Sequence, residues 1–203
     1  MKTKIDSKTQ LINTAYRLFL NKSYNSTSTS LICEEASINK GTFYHFFHSK
    51  ADLLIACIKL HGENITTDIK ALENLRLSGN EKLQKLLALL TQRIKEKFDE
   101  EGKVSGCFLG NITLELSTID NKIRNEVINE ATKIQQAMAS IIDQYARENN
   151  LAIDVKNAAE QVYSYIQGLV LMAKLHNSPY KLKEIEKVIP QLIESFSLES
   201  CDV

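Results

Sequence analysis

The stretch that decides the fold reads Asn39-Lys40-Gly41-Thr42-Phe43-Tyr44-His45-Phe46-Phe47-His48-Ser49-Lys50. Asn39 is a strong helix N-cap, and Ser49, with Asp52 three positions on, is another. They bracket a helix of barely two turns, 40–47, and open a longer one at Lys50. Phe43, Phe46 and Phe47 are apolar anchors for a small bundle, while Lys40, Thr42, Tyr44 and His45 carry charge or hydrogen-bonding groups. Gly41 lies in the first turn, where the missing side chain lets another surface come close. A helix that reads nucleic acid does so from its N-terminal residues, with neighbours gripping phosphate. Lys40 and Lys50 supply cations at the two ends of such a helix.

Upstream, Asp6 caps a helix whose apolar positions are Leu11, Ile12, Ala15, Leu18 and Phe19, one stripe at helical spacing. It ends near Asn21-Lys22, where the polar run 21–30 begins. Thr27 or Ser28 caps a second helix carrying Leu31, Ile32 and Ala36, and Ser37-Ile38-Asn39 interrupts it. Three helices of decreasing length, with a tight turn between the second and third, make a helix-turn-helix. The hydroxyls of Thr27-Ser28-Thr29-Ser30 join free backbone amides at a helix start, a phosphate site if anything anionic comes near and an ordinary cap if not.

Downstream, the spacing predicts helices over 50–77, 81–99, 106–116, 122–148, 155–174 and 181–196. Their breaks fall at Ser78-Gly79-Asn80, Glu100-Glu101-Gly102-Lys103, Asn149-Asn150 and His176-Asn177-Ser178-Pro179. The expected architecture is all-α: a three-helix DNA-binding bundle in residues 1–50, then a six-helix domain in residues 51–203.

Composition agrees. Of 203 residues 43% are hydrophobic, with 2 prolines, 7 glycines and no tryptophan, which favours a helical chain with a real core. Net charge is zero but uneven. Residues 1–50 hold seven Lys/Arg against three acids, a net of +4, and the remainder is at −4. A basic first quarter on an acidic body points to an anionic partner.

Other classes are poorly supported. No apolar run reaches the roughly 18 residues of a membrane span, and residues 1–6 lack the apolar core of a signal peptide, so a cytoplasmic protein without a membrane partner is expected. Cys33, Cys57, Cys107 and Cys201 lie far apart without a CxxC pair, so neither a zinc site nor a disulfide framework is expected. Cys33 and Cys57 read as core positions and Cys201 as part of a tail. Glu115, His61 and His176 are loose candidates for catalysis, but no HExxH or GxSxG spacing supports them. No enzyme, metal or cofactor is expected. A helical protein-binding module without DNA function is the competing reading, and it leaves the Lys-Gly-Thr-Phe-Tyr-His segment unexplained.

Residues 8–56 resemble the DNA-binding domain of the TetR family of bacterial regulators. The matching strings are Thr27-Ser28-Thr29, Ile38-Asn39-Lys40-Gly41-Thr42-Phe43-Tyr44-His45-Phe46-Phe47 and Ser49-Lys50-Ala51-Asp52-Leu53-Leu54. The resemblance implies that Thr27 and Thr29 contact phosphate and that Lys40, Gly41 and Thr42 sit at the major groove. It implies that Tyr44 and His45 grip phosphate or a base edge, and that Lys50 pairs with phosphate. The family commonly has glycine where this chain has Ser37, so the turn must tolerate serine.

The resemblance further implies that residues 51–203 are a ligand-binding and dimerisation domain, with a homodimer through the last two helices, a double-stranded DNA operator and a small-molecule inducer. Val162, Tyr163, Ile166, Leu169, Val170 and Ala173 form one apolar stripe, and Ile185, Val188, Ile189, Leu192, Ile193 and Phe196 another. These serve a dimer or the chain's own core, and Gly168 permits close helix approach. The segment Ser105-Gly106-Cys107-Phe108-Leu109-Gly110-Asn111 resembles a subfamily with a Gly-Cys-x-x-Gly-Asn stretch, some of whose members respond to electrophiles or small unsaturated acids. That likeness makes Cys107, at a helix start that favours thiolate, and Lys174 sensor candidates. The plain reading is a buried, inert cysteine and a solvated lysine. A non-covalent pocket near Phe108, Tyr163 and Gln167, with Leu87, Leu90, Leu109, Ile112 and Met172, is the alternative.

Overall fold

The structure is a computed structural model that describes residues 6–197, apart from the side chains of Arg93 and Lys97. Lys2, Lys4 and Cys201 lie outside the described residues. Nine α-helices and one 3-10 helix account for the regular structure among them, and none of them forms a strand. The helices are α1 (Ser7–Lys22), α2 (Thr29–Glu35), α3 (Lys40–Phe46), α4 (Lys50–Glu73) and α5 (Gly79–Glu101). They continue with α6 (Phe108–Leu116), α7 (Asn121–Glu148), α8 (Val155–Leu175), the 3-10 helix Pro179–Glu184 and α9 (Ile185–Glu194). Two compact units result. One holds the chain up to Glu63 together with Cys107–Glu130, and the other holds Asn64–Gly106 together with residues from Ala131 on.

In the first unit the caps act where the local rules put them. Asp6, Ser28 and Asn39 accept the amides of Thr9, Leu31 and Thr42. Ser49 Oγ accepts the Asp52 amide at 3.0 Å and donates to its carboxylate at 2.8 Å. The helices α1, α2 and α3 pack on one another around Leu11, Ala15, Leu18, Phe19, Ile32 and Phe43, all essentially inaccessible to water. Gly62 of α4 leaves room for the buried Glu130 of α7, which a Cβ there would overlap.

The turn between α2 and α3 is a complete Schellman motif. Ile38 N–H donates to Cys33 O at 2.9 Å and Ser37 N–H to Glu34 O at 3.0 Å. Ser37 takes the left-handed position with φ 52°. Glycine is favoured there because it has no Cβ to strain, so the serine is tolerated at a cost.

In the second unit Ser78 is a cap rather than a break. Its hydroxyl accepts the Glu81 amide and the Glu81 carboxylate accepts the Ser78 amide, so α5 opens at Gly79 instead of residue 81. A Cβ at Gly79 would lie 2.7 Å from the Tyr145 backbone, so only glycine lets the first turn of α5 sit against α7. Gly79 N–H donates to Glu148 at 2.6 Å.

The last segment departs from the expected single helix over 181–196. Its buried residues are Pro179, Leu182 and Ile185, spaced by three, and then Ile189 and Ile193, spaced by four. A 3-10 helix aligns i and i+3, so the chain starts in that form and relaxes to α once the spacing lengthens. Pro190 lies inside α9 and cannot donate to Glu186 O; Gln84 Nε2 of α5 reaches that carbonyl at 3.5 Å instead.

Candidate nucleic-acid interface

The short helix α3 has two chemically different faces. Phe43 and Phe47 point into the bundle with ring centroids 6.2 Å apart, and they fix the helix to α1 and α2. Lys40, Gly41, Tyr44 and His45 are exposed, Tyr44 to 52%, and Thr42 is half-buried. The Tyr44 ring meets Phe43 edge-on at 5.1 Å, which orients its hydroxyl end outward. A Cβ at Gly41 would come within 3.2 Å of the Asn39 Oδ1 that caps the helix. Glycine therefore keeps both the cap and an open approach to the first turn.

The helix α2 presents its start to solvent through Ser28 and Ser30, with Thr29 half-buried between them. Gln10 Nε2 holds the Ala36 carbonyl at 2.8 Å, tying α1 to the end of α2. The exposed Arg17–Glu35 ion pair at 2.7 Å joins the same helices, but such pairs contribute only up to about 1 kcal/mol.

Thr27 and Lys50, both expected at phosphate, are differently occupied. Thr27 is 0% exposed and its hydroxyl donates to Ser23 O at 2.7 Å, so its side chain is not presented to a partner. Lys50 Nζ donates to Tyr24 O at 2.9 Å and Thr27 O at 3.0 Å, and it stands 4.0 Å from the centre of the Tyr24 ring. Burial draws the Lys50 ammonium below its ordinary pKa, while Glu115 opposes the shift. Across the same loop the Glu115 carboxylate of α6 accepts two backbone amides, from Tyr24 at 3.0 Å and from Asn25 at 2.7 Å. Sequence reasoning named Glu115 only as a stray acid, and no local pattern announces a partner some 90 residues away.

The sensor candidates are divided between the units. Cys107 is half-buried at the N-cap position of α6, and Phe108 is wholly buried. The Phe108 ring packs on Tyr16 at 4.5 Å and His61 at 5.6 Å, and those two share a hydrogen bond of 3.0 Å between the Tyr16 hydroxyl and His61 Nδ1. In the second unit Tyr163 and Gln167 are half-buried one turn apart on α8, and Lys174 is exposed in its last turn. Cys33 and Cys57 are buried, and burial raises the pKa of both thiols.

The stripe expected on α8 faces inward. Val162, Ile166, Val170 and Ala173 are buried in the second unit's own core, as are Ile185, Ile189 and Ile193 of α9, and Tyr163 and Leu169 are half-buried. The large apolar residues most open on α8 lie outside that stripe, Leu171, Met172 and Leu175, on a helix that also exposes Gly168. Among the described residues no group of His, Cys, Asp and Glu is arranged to hold a metal ion, and no helix is long and apolar enough to cross a membrane.

Residues 11–57 match the family described as bacterial regulatory proteins, tetR family, and residues 79–189 match the tetracyclin repressor-like C-terminal domain. The transcriptional regulator AcuR of Cereibacter sphaeroides is 27% identical over 171 residues, covering 83% of this chain and 77% of its own. The HTH-type transcriptional repressor NemR of Escherichia coli strain K12 is 23% identical over 179 residues, 87% of this chain and 88% of its own. Among solved structures, reduced E. coli NemR has a TM-score of 0.79 at 22% identity, covering 92% of this chain and 96% of its own. A TetR regulatory protein from Rhodobacter sphaeroides has the same TM-score at 23% identity, covering 92% and 98%. At these identities the structural likeness establishes the shared fold.

Proposed function

The chain belongs to the tetR family of bacterial regulatory proteins, whose members are transcriptional regulators rather than enzymes, and we propose that it is a cytoplasmic repressor of the following design. It binds a near-palindromic operator as a homodimer, and a small-molecule or electrophile inducer releases it. The observation that carries this reading is the outward face of α3, where Lys40, Gly41, Tyr44 and His45 stand exposed on a helix anchored by Phe43 and Phe47. A homodimer places two such helices in successive major grooves, roughly 34–36 Å apart. Thr29 and Thr42 complete the contact set, Thr29 through phosphate. Thr27 and Lys50 serve from behind by shaping the loop ahead of α2.

Residues 1–50 form the DNA-reading part and residues 51–203 the ligand-binding and dimerising part. The dimer forms through α8 and α9. Support comes from Leu171, Met172 and Leu175, which are apolar and uncovered in the single chain. Gly168 adds to it. A mid-helix glycine costs about 1 kcal/mol relative to alanine. Among the described residues nothing beyond its own helix lies within 4 Å of where its Cβ would be, so their packing does not require glycine. A second helix crossing there does.

The inducer candidates fall into two sets, Cys107 and Phe108 in the first unit, and Tyr163, Gln167 and Lys174 in the second. Cys107 at the start of α6 suits thiolate chemistry, and an apolar ligand is the non-covalent counterpart. Binding of inducer and operator must be reciprocal, each weakening the other by the same factor.

The test is an anisotropy titration of the protein against the DNA upstream of its own gene, with and without an electrophile. Specific binding abolished by the electrophile in the wild type, but not in Cys107→Ser, supports both halves. Specific binding indifferent to the electrophile keeps the regulator and turns the search to non-covalent ligands. Failure to bind that DNA or any duplex selected from a random pool overturns the proposal.

A further inference from the structure

We propose that Glu115 is a positioning residue for operator binding: from α6 it fixes the loop ahead of α2, so that the start of α2 meets phosphate in register with α3. This rests on the operator reading above.

The loop joining α1 to α2 is held from within and from outside. Ser23 has φ 72°, away from both helix and strand, and within the loop Thr27 N–H donates to Tyr24 O at 3.1 Å, the Thr27 hydroxyl to Ser23 O at 2.7 Å and Ser26 N–H to Ser23 Oγ at 3.4 Å. Two charged side chains from other elements add the rest of its backbone bonds. The carboxylate of Glu115 takes both adjacent amides, Tyr24 and Asn25, one on each oxygen. The ammonium of Lys50 takes the carbonyls of Tyr24 and Thr27. Donors meet an anion and acceptors meet a cation, so every one of these four bonds is charge-assisted, the stronger class of hydrogen bond.

The geometry separates the two sides of the loop. Its backbone turns inward to Glu115 and Lys50, while Asn25, Ser26 and Ser28 expose their side chains to solvent. Ser28 is the N-cap of α2 and Thr29 its first residue, so the clasp ends one residue short of the expected phosphate contacts. Glu115 itself is an anion and cannot grip phosphate. Its contribution has to come through the backbone it orders.

Electrostatics and positioning predict opposite signs, which makes the assignment testable. Removing a negative charge from a DNA-binding unit favours a polyanion by Coulomb attraction alone. Removing the clasp loosens α2. In Glu115→Gln one carboxamide oxygen keeps one amide, and the NH2 group faces the other donor. The expected result is a loss of operator affinity of about tenfold, the equivalent of one charge-assisted bond, with binding to unrelated duplex unchanged within about twofold.

The experiment titrates wild type and Glu115→Gln against a duplex that the wild type selects from a random pool. It also compares the hydrogen exchange of the Tyr24 and Asn25 amides by NMR. In the wild type both amides are protected, and in the variant at least one of them exchanges faster. A variant that folds, loses that protection and binds the operator as well as or better than wild type overturns the positioning role. Wild-type amides that exchange as fast as unprotected ones overturn the clasp, even if the variant fails to fold. A wild type that selects no duplex overturns the operator reading itself, a failure distinct from these two.

Discussion

The helices α3 and α8 both leave aromatic or aliphatic side chains in water, yet they do so on different terms. On α3 the buried face is aromatic, Phe43 and Phe47, and the open face mixes Lys40, Gly41, Tyr44 and His45. On α8 the contrast disappears along residues 165–175. Val170 and Ala173 are buried and Leu171, Met172 and Leu175 are open, so the helix is apolar nearly all round. A helix with a polar, basic outer face offers hydrogen bonds and charge to an anion, whereas one that is apolar all round calls for a second apolar surface. In the proposed function the first addresses nucleic acid and the second a copy of the same protein.

Substitutions sharpen this contrast in order of size. Phe43→Ala removes a side chain with 0% exposure from the anchor of α3. It should lower unfolding free energy by about 3–5 kcal/mol, read by chemical denaturation. A loss under about 1 kcal/mol would mean that α3 is not held by its aromatic face. Leu171 is 43% exposed, so Leu171→Glu should leave the fold intact and weaken self-association by roughly 2–4 kcal/mol, since an unpaired charge is forced into the interface. Sedimentation should then show monomer where the wild type is dimeric. A dimer unchanged in strength would remove α8 from the interface.

The smallest effects compare the turns bordering the two helices. Each contains a Schellman motif with a left-handed non-glycine residue, Ser37 before α3 with φ 52° and Asn177 after α8 with φ 45°. Asn177 does more than turn the chain. Its side chain accepts Val104 N–H at 2.8 Å and donates to Gly102 O at 3.1 Å. Asn177→Gly should therefore cost about 1–3 kcal/mol as those bonds are lost. Ser37→Gly should instead gain about 0.5–1 kcal/mol by relieving the strained φ. Thermal unfolding of the two variants checks the opposite signs, and equal signs would break the distinction.

Much of the fold was legible in the chain because caps and apolar spacing act over three or four residues. Asp6, Ser28, Asn39, Ser49 and Asp154 each cap the helix that follows, as local chemistry requires. The helices α1, α3 and α7 match the expected spans to within a residue at each end. What escaped depends on partners distant in sequence. Gly79 starts α5 early because it sits against Tyr145, and the three-residue spacing from Pro179 to Ile185 selects a 3-10 form that a search for α periodicity passes over.

In the candidate site, the division of α3 into an anchored and an open face followed from residue types at Phe43, Phe47, Lys40, Tyr44 and His45, but Phe46, expected as a third anchor, is 36% exposed because it lies off the face that meets α1 and α2. The burial of Thr27 did not follow in this way, nor did the internal use of Lys50 and the hold of Glu115 on the loop, the last two set by contacts 23 to 91 residues apart. For α8 the periodicity found an apolar stripe but could not say which side faced the chain's own core, since both sides are apolar.

The central claim is that the open face of α3 meets DNA, and Lys40 is its charge. The most direct measurement is the salt dependence of affinity for one selected duplex, comparing the wild type with Lys40→Ala. The account predicts weaker binding at every salt concentration and a slope of log K against log salt reduced by about one in the variant. Equal affinity with an unchanged slope would contradict it.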